Sequence, residues 1–140
     1  MIEAIRLRAC LAAVQDNCIL LVPHFNTDAG PVQWNLPGGS LHFGENLHSA
    51  ALREFHEETG LQASIIGLLD VSEMILPERP WHSVTIAFLG KVSGGELAPE
   101  ASHPFGEKVP RWLSPLELEG IAYHPAKIIE KALSVAALFD

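Results

Sequence analysis

Residues 39–61, GSLHFGENLHSAALREFHEETGL, set Glu45, Arg53, Glu54, Glu57 and Glu58 at fixed spacings between Gly39 and Gly60. If residues 46–59 are helical, side chains three and four apart share a face, so Glu54, Glu57 and Glu58 project together. Leu47, Ala51 and Phe55 recur at i, i+4 and i+8 on the other side, the apolar stripe of a helix laid on a core. Gly60 is the glycine expected just past a helix C-terminus, in the left-handed conformation. Three carboxylates on one face repel one another, and in isolation they would be an ordinary solvated acidic stripe. Beside a glycine-rich turn they become a candidate ligand set for a hard divalent cation, because Mg2+ pairs one or two carboxylates with waters and substrate phosphates. An arginine among them fixes their orientation by bidentate hydrogen bonding and offsets part of the repulsion. As a plain surface salt bridge the same arginine would contribute little.

Working outward, Trp34-Asn35-Leu36-Pro37-Gly38-Gly39 reads as a strand end followed by a turn, since Pro37 cannot continue a ladder and two glycines permit close backbone approach. A carbonyl at Gly38 or Gly39 is placed to complete a metal shell or to face a phosphate. The pattern as a whole, G-x5-E-x7-R-E-U-x-E-E-x-G-U with U apolar, resembles the signature of the Nudix hydrolases, the MutT-like pyrophosphohydrolases, at every specified position. Phe55 stands where that family more often has an aliphatic residue. So many fixed residues at set spacings are rarely met by chance. The resemblance implies metal-dependent hydrolysis of a nucleoside diphosphate linked to another group, with Mg2+ or Mn2+ as cofactor. It implies an α/β (α+β) fold, an α/β/α sandwich with a curved mixed sheet between helices, over residues 1–140 as a single domain. It implies Glu54, Glu57 and Glu58 as metal ligands, joined by Gly39, a structural role for Arg53 and a supporting one for Glu45. The implied reaction is attack of water at phosphorus. A nucleotide-binding or regulatory module on the same scaffold, without catalysis, is the alternative.

The rest of the chain is consistent with this. At 140 residues and 48% hydrophobic it is one globular domain. A net charge of -8 argues against a nucleic-acid polymer as partner, since phosphate backbones are met by lysine and arginine. A small phosphorylated, nucleotide-type substrate is compatible, because bound cations reverse the local field. Cys10 and Cys18 lack paired metal spacing and read as buried reduced thiols of a cytoplasmic protein. The charged N-terminus has no apolar run of a signal peptide, and no stretch is long enough to span a membrane. A homodimer is left open.

Residues 4–14 and 18–23 read as strands around the turn Gln15-Asp16-Asn17, and residues 24–33 as a loop rimming a pocket. Residues 63–74 and 83–92 read as strands separated by the turn-rich segment 76–81, with Ser93-Gly94-Gly95 closing a second hairpin. Ser114-Pro115-Leu116-Glu117 is a capping box. A last helix begins near Pro125, burying Ile128, Ile129, Ala132, Leu133 and Ala136. Val109 to Leu118 resembles the family's late strand ending in tryptophan and its short helix. In several subfamilies a glutamate in the loop before that strand adds a metal ligand or acts as base. Glu107 is favoured there over the more distant Glu100.

Substrate contacts are read less directly. Phe25, Phe43, Trp81 and Tyr123 are candidates to stack on a base, with Phe43 preferred, and Arg79 between Pro77 and Pro80 is a candidate phosphate contact. Pro77, about sixteen residues past the signature, is a family hint toward ADP-ribose. The early strand lacks the arginine or lysine that many members place after it, which leaves phosphate recognition to the metal. The histidines show no metal-binding spacing, with His24 and His42 the two flanking the pocket.

Overall fold

A computed structural model describes residues 3–25, 30–78, 80–100 and 106–139. The elements in order are β1 (Ile5–Gln15), β2 (Cys18–His24), β3 (Gln33–Asn35), β4 (Gly38–Ser40), α1 (Leu47–Thr59), β5 (Leu61–Leu76), β6 (Trp81–Gly95), β7 (Arg111–Leu113), α2 (Pro115–Leu118), β8 (Tyr123–His124) and α3 (Ala126–Ala136). The strands form one mixed sheet in the order β5-β6-β1-β2-β3-β8, with β4 added to β1 and β7 to β2. β1 runs parallel to β6 and β3 parallel to β8; the other pairs are antiparallel.

β1 shows why two helical layers form. Its residues 9–13, Ala-Cys-Leu-Ala-Ala, are buried on both faces, as a near-continuous apolar run in a central strand requires. Ala9, Leu11 and Ala13 point to one side, where Ala50, Ala51 and Phe55 of α1 and Phe88 of β6 pack on them. Cys10 and Ala12 point to the other, into a cluster closed by Ile128, Ile129 and Ala132 of α3. The alternation of a single strand thus sets α1 and α3 on opposite faces, the sandwich expected from the sequence. Asp16 and Asn17 both take the left-handed conformation, φ 52° and 58°, in the two-residue hairpin turn that joins β1 to β2.

Two local expectations are corrected. Gly38 and Gly39 do not form a turn but the short strand β4, opposite Cys10 and Ala9 of β1. Ser93-Gly94-Gly95 does not close a hairpin, because β6 continues through it and pairs Gly94 with Gln62 and Gly95 with Leu61. The glycines serve close approach there: a Cβ on Gly95 would lie 2.5 Å from the Gly60 carbonyl oxygen at the end of α1. The chain reverses instead between Leu76 and Trp81, and β5 and β6 are longer than their periodicity suggests. Among the described residues no helix is long and apolar enough to cross a membrane.

Candidate active site

α1 is fixed at both ends by its own sequence. The Asn46 side chain accepts a hydrogen bond from the Ser49 N–H at 2.8 Å, and Gly60 closes the C-terminus at φ 78° with its N–H bonded to the His56 carbonyl. Thr59, fully buried, donates to the Phe55 carbonyl and accepts from the Leu61 N–H, tying the helix end to the start of β5. With Ala50, Ala51 and Phe55 buried, the rotation of the helix is set and its charged face is aimed.

On that face Arg53 is the hub. Its Nε and Nη2 donate to both Glu45 oxygens at 2.7 and 3.0 Å, a bidentate pair, while Nη1 donates to Glu54 Oε1 at 3.0 Å and to Glu57 at 3.3 Å. Nη2 also reaches the Ser40 carbonyl at 3.3 Å, linking the helix to β4. The Arg53 hydrogen bond, with help from the His42 N–H, holds the Glu45 carboxyl down near a pKa of about 2. The same contacts push the Arg53 guanidinium up. Glu54 keeps 17% of its side chain exposed and Glu57 54%, so Glu54 turns inward and Glu57 stands at the rim.

Glu58 reaches in on the other side of this hub. Its Oε2 accepts the Gly38 N–H at 2.6 Å. Burial pushes its pKa up to about 8 against the pull of that N–H; the charges of Glu54 and Glu100 push the same way and Lys108 opposes them. Gly39 is required by proximity, since a Cβ there would lie 2.6 Å from the Glu54 carboxyl. A Cβ on Gly38 would run into Cys10 Sγ and the Ala9 carbonyl. Buried beside it, the Cys10 thiol is pushed up to about 11 and is no nucleophile at neutral pH.

Gly38, Gly39 and Glu58 form one wall of a cavity of about 620 Å³. Its floor is the face of the sheet beyond the reach of α3: Arg8 of β1, Ser83 and Thr85 of β6, Met74 and Leu76 of β5. Asn35, His124 and Lys108 complete the far side, and Trp81 stands at the mouth. The Asn35 Oδ1 is buried with no hydrogen-bond partner among the described residues. The His124 imidazole is pushed toward neutrality by burial and by the charge of Arg8.

The site residues expected from the sequence separate into groups. Arg53, Glu54, Glu57, Glu58, Gly38 and Gly39 are brought together. Phe43 is fully exposed and lines a different, shallow depression with Ile5 and Leu7. Glu107 is exposed on its loop, whereas Glu100 is half-buried, bridges backbone to backbone with Lys108 and acts on Glu58 by charge. Arg79 lies outside the described residues. His24 lines the cavity and His42 does not. Arg8, Asn35, Lys108 and His124 were not singled out. Only for Arg8 was there a signal, its alternation in register with Cys10 on β1.

The oxygen donors fit a hard divalent cation. Glu54 Oε2 and Glu58 Oε1 carry no hydrogen bond among the described residues, and the raised pKa of Glu58 records first its burial and then the like charges of Glu54 and Glu100, a cost that a cation would offset. No three His, Cys, Asp or Glu side chains among the described residues converge as a complete ligand set. Glu57 is turned to Arg53 instead, so water and phosphate oxygens would supply the remaining positions, the usual habit of Mg2+.

Known proteins resemble this chain in sequence and fold. Residues 5–132 match the model of the NUDIX domain. An ADP-ribose pyrophosphatase of Methanocaldococcus jannaschii is 37% identical over 59% of this chain and 48% of its own length. An RNA pyrophosphohydrolase of Novosphingobium aromaticivorans is 36% identical over 49% of this chain and 40% of its own. The chain thus spans about half the length of the curated relatives it matches. A MutT NUDIX hydrolase from Burkholderia pseudomallei superposes with a TM-score of 0.73 at 29% identity, covering 94% of this chain and 98% of that one.

Proposed function

The chain belongs to the NUDIX family, and from that premise we propose that it hydrolyses a phosphoanhydride bond in a nucleoside diphosphate linked to another group, using Mg2+ or Mn2+ at Glu54, Glu57 and Glu58. The observation that carries this reading is Glu58, at once part of the glutamate helix and part of the cavity wall. A cation held there would neutralise phosphate charge, orient the anhydride and acidify the attacking water. The chain's own residues supply the rest. Arg53 fixes Glu54 and Glu57 in direction, so the reacting groups meet without reorganisation. The Gly38 N–H holds Glu58 in place, and a cation bound there would displace the Glu58 proton. The general base is one of the clustered glutamates or a loop carboxylate, Glu107 or Glu100; of the two loop carboxylates Glu100 is the one whose charge is felt at Glu58.

The cavity is of the size that takes a nucleoside, within the roughly 300–1,000 Å³ usual for small-molecule sites. The relatives' names point to two different substrates, ADP-ribose and RNA. The test is phosphate or nucleotide release over a panel of nucleoside triphosphates, ADP-ribose, nucleotide sugars, dinucleoside polyphosphates and 5′-triphosphorylated RNA, with Mg2+, Mn2+ or EDTA. Metal-dependent release from at least one member is expected. Binding without release would indicate a regulatory module, and neither would remove the assignment.

A further inference from the structure

Positive charge inside the cavity is scarce in a chain of net charge -8, and its placement is specific. Four arginines lie among the described residues. Arg53 is paired with Glu45, Glu54 and Glu57; Arg6 lies over the Trp81 ring at 4.0 Å; Arg111 pairs with Glu117 at 3.6 Å. Arg8 has no carboxylate or aromatic partner among the described residues. Its one hydrogen bond to another residue's backbone is a long one, Nη2 to the Gly38 carbonyl at 3.4 Å, which leaves most of the guanidinium donors open. It is half-buried, and β1 pins it between Ser40 of β4 and Thr85 of β6 at the centre of the sheet. Half-buried on the cavity lining, the guanidinium is placed where an anion in that space can pair with it. The Gly38 that Arg8 approaches also donates to Glu58, so Arg8 and the last glutamate of the helix line the same space.

We propose that Arg8 is a diphosphate-positioning residue, its guanidinium taking phosphate oxygens of the substrate from the sheet side while the glutamate helix addresses them from the other. This rests on the hydrolase reading for its substrate but not for its test. Arg8 thereby supplies from β1 the cation that the sequence after β2 lacks. The planar fork of arginine suits two oxygens of one phosphoryl group, which lysine cannot match.

Inorganic pyrophosphate in EDTA is the probe, since it needs neither metal nor turnover, and binding is followed by calorimetry on folded variants verified by thermal unfolding. Arg8→Met should weaken binding about 10- to 100-fold, the range of a charged hydrogen bond, with partial recovery in Arg8→Lys. Lys127→Met, on the exposed face of α3, should leave it unchanged. In the wild-type chain pyrophosphate should also raise the pKa of His124 in an NMR titration, because the anion offsets the Arg8 charge that lowers it. Equal affinity in wild type and Arg8→Met, an equal loss in Lys127→Met, an unmoved His124 or no pyrophosphate binding by the wild type would each overturn the assignment. Hydrolysis of the substrate panel alongside such a failure would remove Arg8 alone; pyrophosphate binding without any hydrolysis would remove the enzyme and keep Arg8.

Discussion

The glutamate helix and the cavity floor manage charge in opposite ways. On and just before α1 a single arginine is shared among three carboxylates, and the cluster is held within residues 40–57, with the Ser40 carbonyl and the His42 N–H as its outer contacts. Around the cavity Arg8, Asn35 and His124 come from three different strands, and among the described residues the Arg8 guanidinium has no carboxylate partner and the Asn35 Oδ1 no hydrogen bond. The first region is complete within itself and built to hold a geometry. The second is built to be completed from outside. On the proposed function a local motif encodes the reaction, while the sheet's register encodes what is reacted upon.

Breaking the self-contained region should have the larger effect. Arg53→Ala frees Glu45, Glu54 and Glu57 at once, and misplacement of reacting groups by about 1 Å costs on the order of 100-fold in rate. We expect kcat/KM to fall by about that factor, and Arg53→Lys to rescue little, because a point charge cannot replace the bidentate pair with Glu45. Full activity in Arg53→Lys would show that the cluster needs only a positive charge.

A smaller effect sharpens the boundary between the two regions, where Glu58 sits. In the metal-free fold its carboxyl holds a proton up to about pH 8, whereas in the unfolded chain it ionises near the ordinary carboxylate value of 4.5. The folded state therefore binds the extra proton between these values, and its stability should fall as pH rises from about 4.5 to 8 and change no further from this source above that. Urea unfolding in EDTA measures this, and Glu58→Gln should flatten the slope. A wild-type stability that rises across that window would mean Glu58 is ionised in the fold.

The same division explains what could be read from the sequence. The helix expected over 46–59 and found at 47–59, its glycine C-cap at Gly60, its buried stripe and the capping box at Ser114 are short-range patterns, and they stand where the local sequence put them. Gly38-Gly39 and Gly94-Gly95 were misread because glycine signals both a turn and a close approach, and only the partner strand decides which. Phe43, chosen for its type, is exposed on the other side of the sheet from the cavity floor. Asn35 carries no local sign of its position; its burial follows from pairing with Val22 on one side and His124 on the other. Arg8 was legible only by counting alternation from Cys10 along β1, and even then its lack of a partner required the whole sheet.

The central claim is that the carboxylates of α1 carry a metal-dependent hydrolysis. Its most direct test is release from the best substrate of the panel by wild type, Glu57→Gln and Glu58→Gln, each at saturating Mg2+ and with its unfolding transition recorded. The account predicts folded variants with release nearly abolished. Wild-type turnover in either folded variant would contradict it.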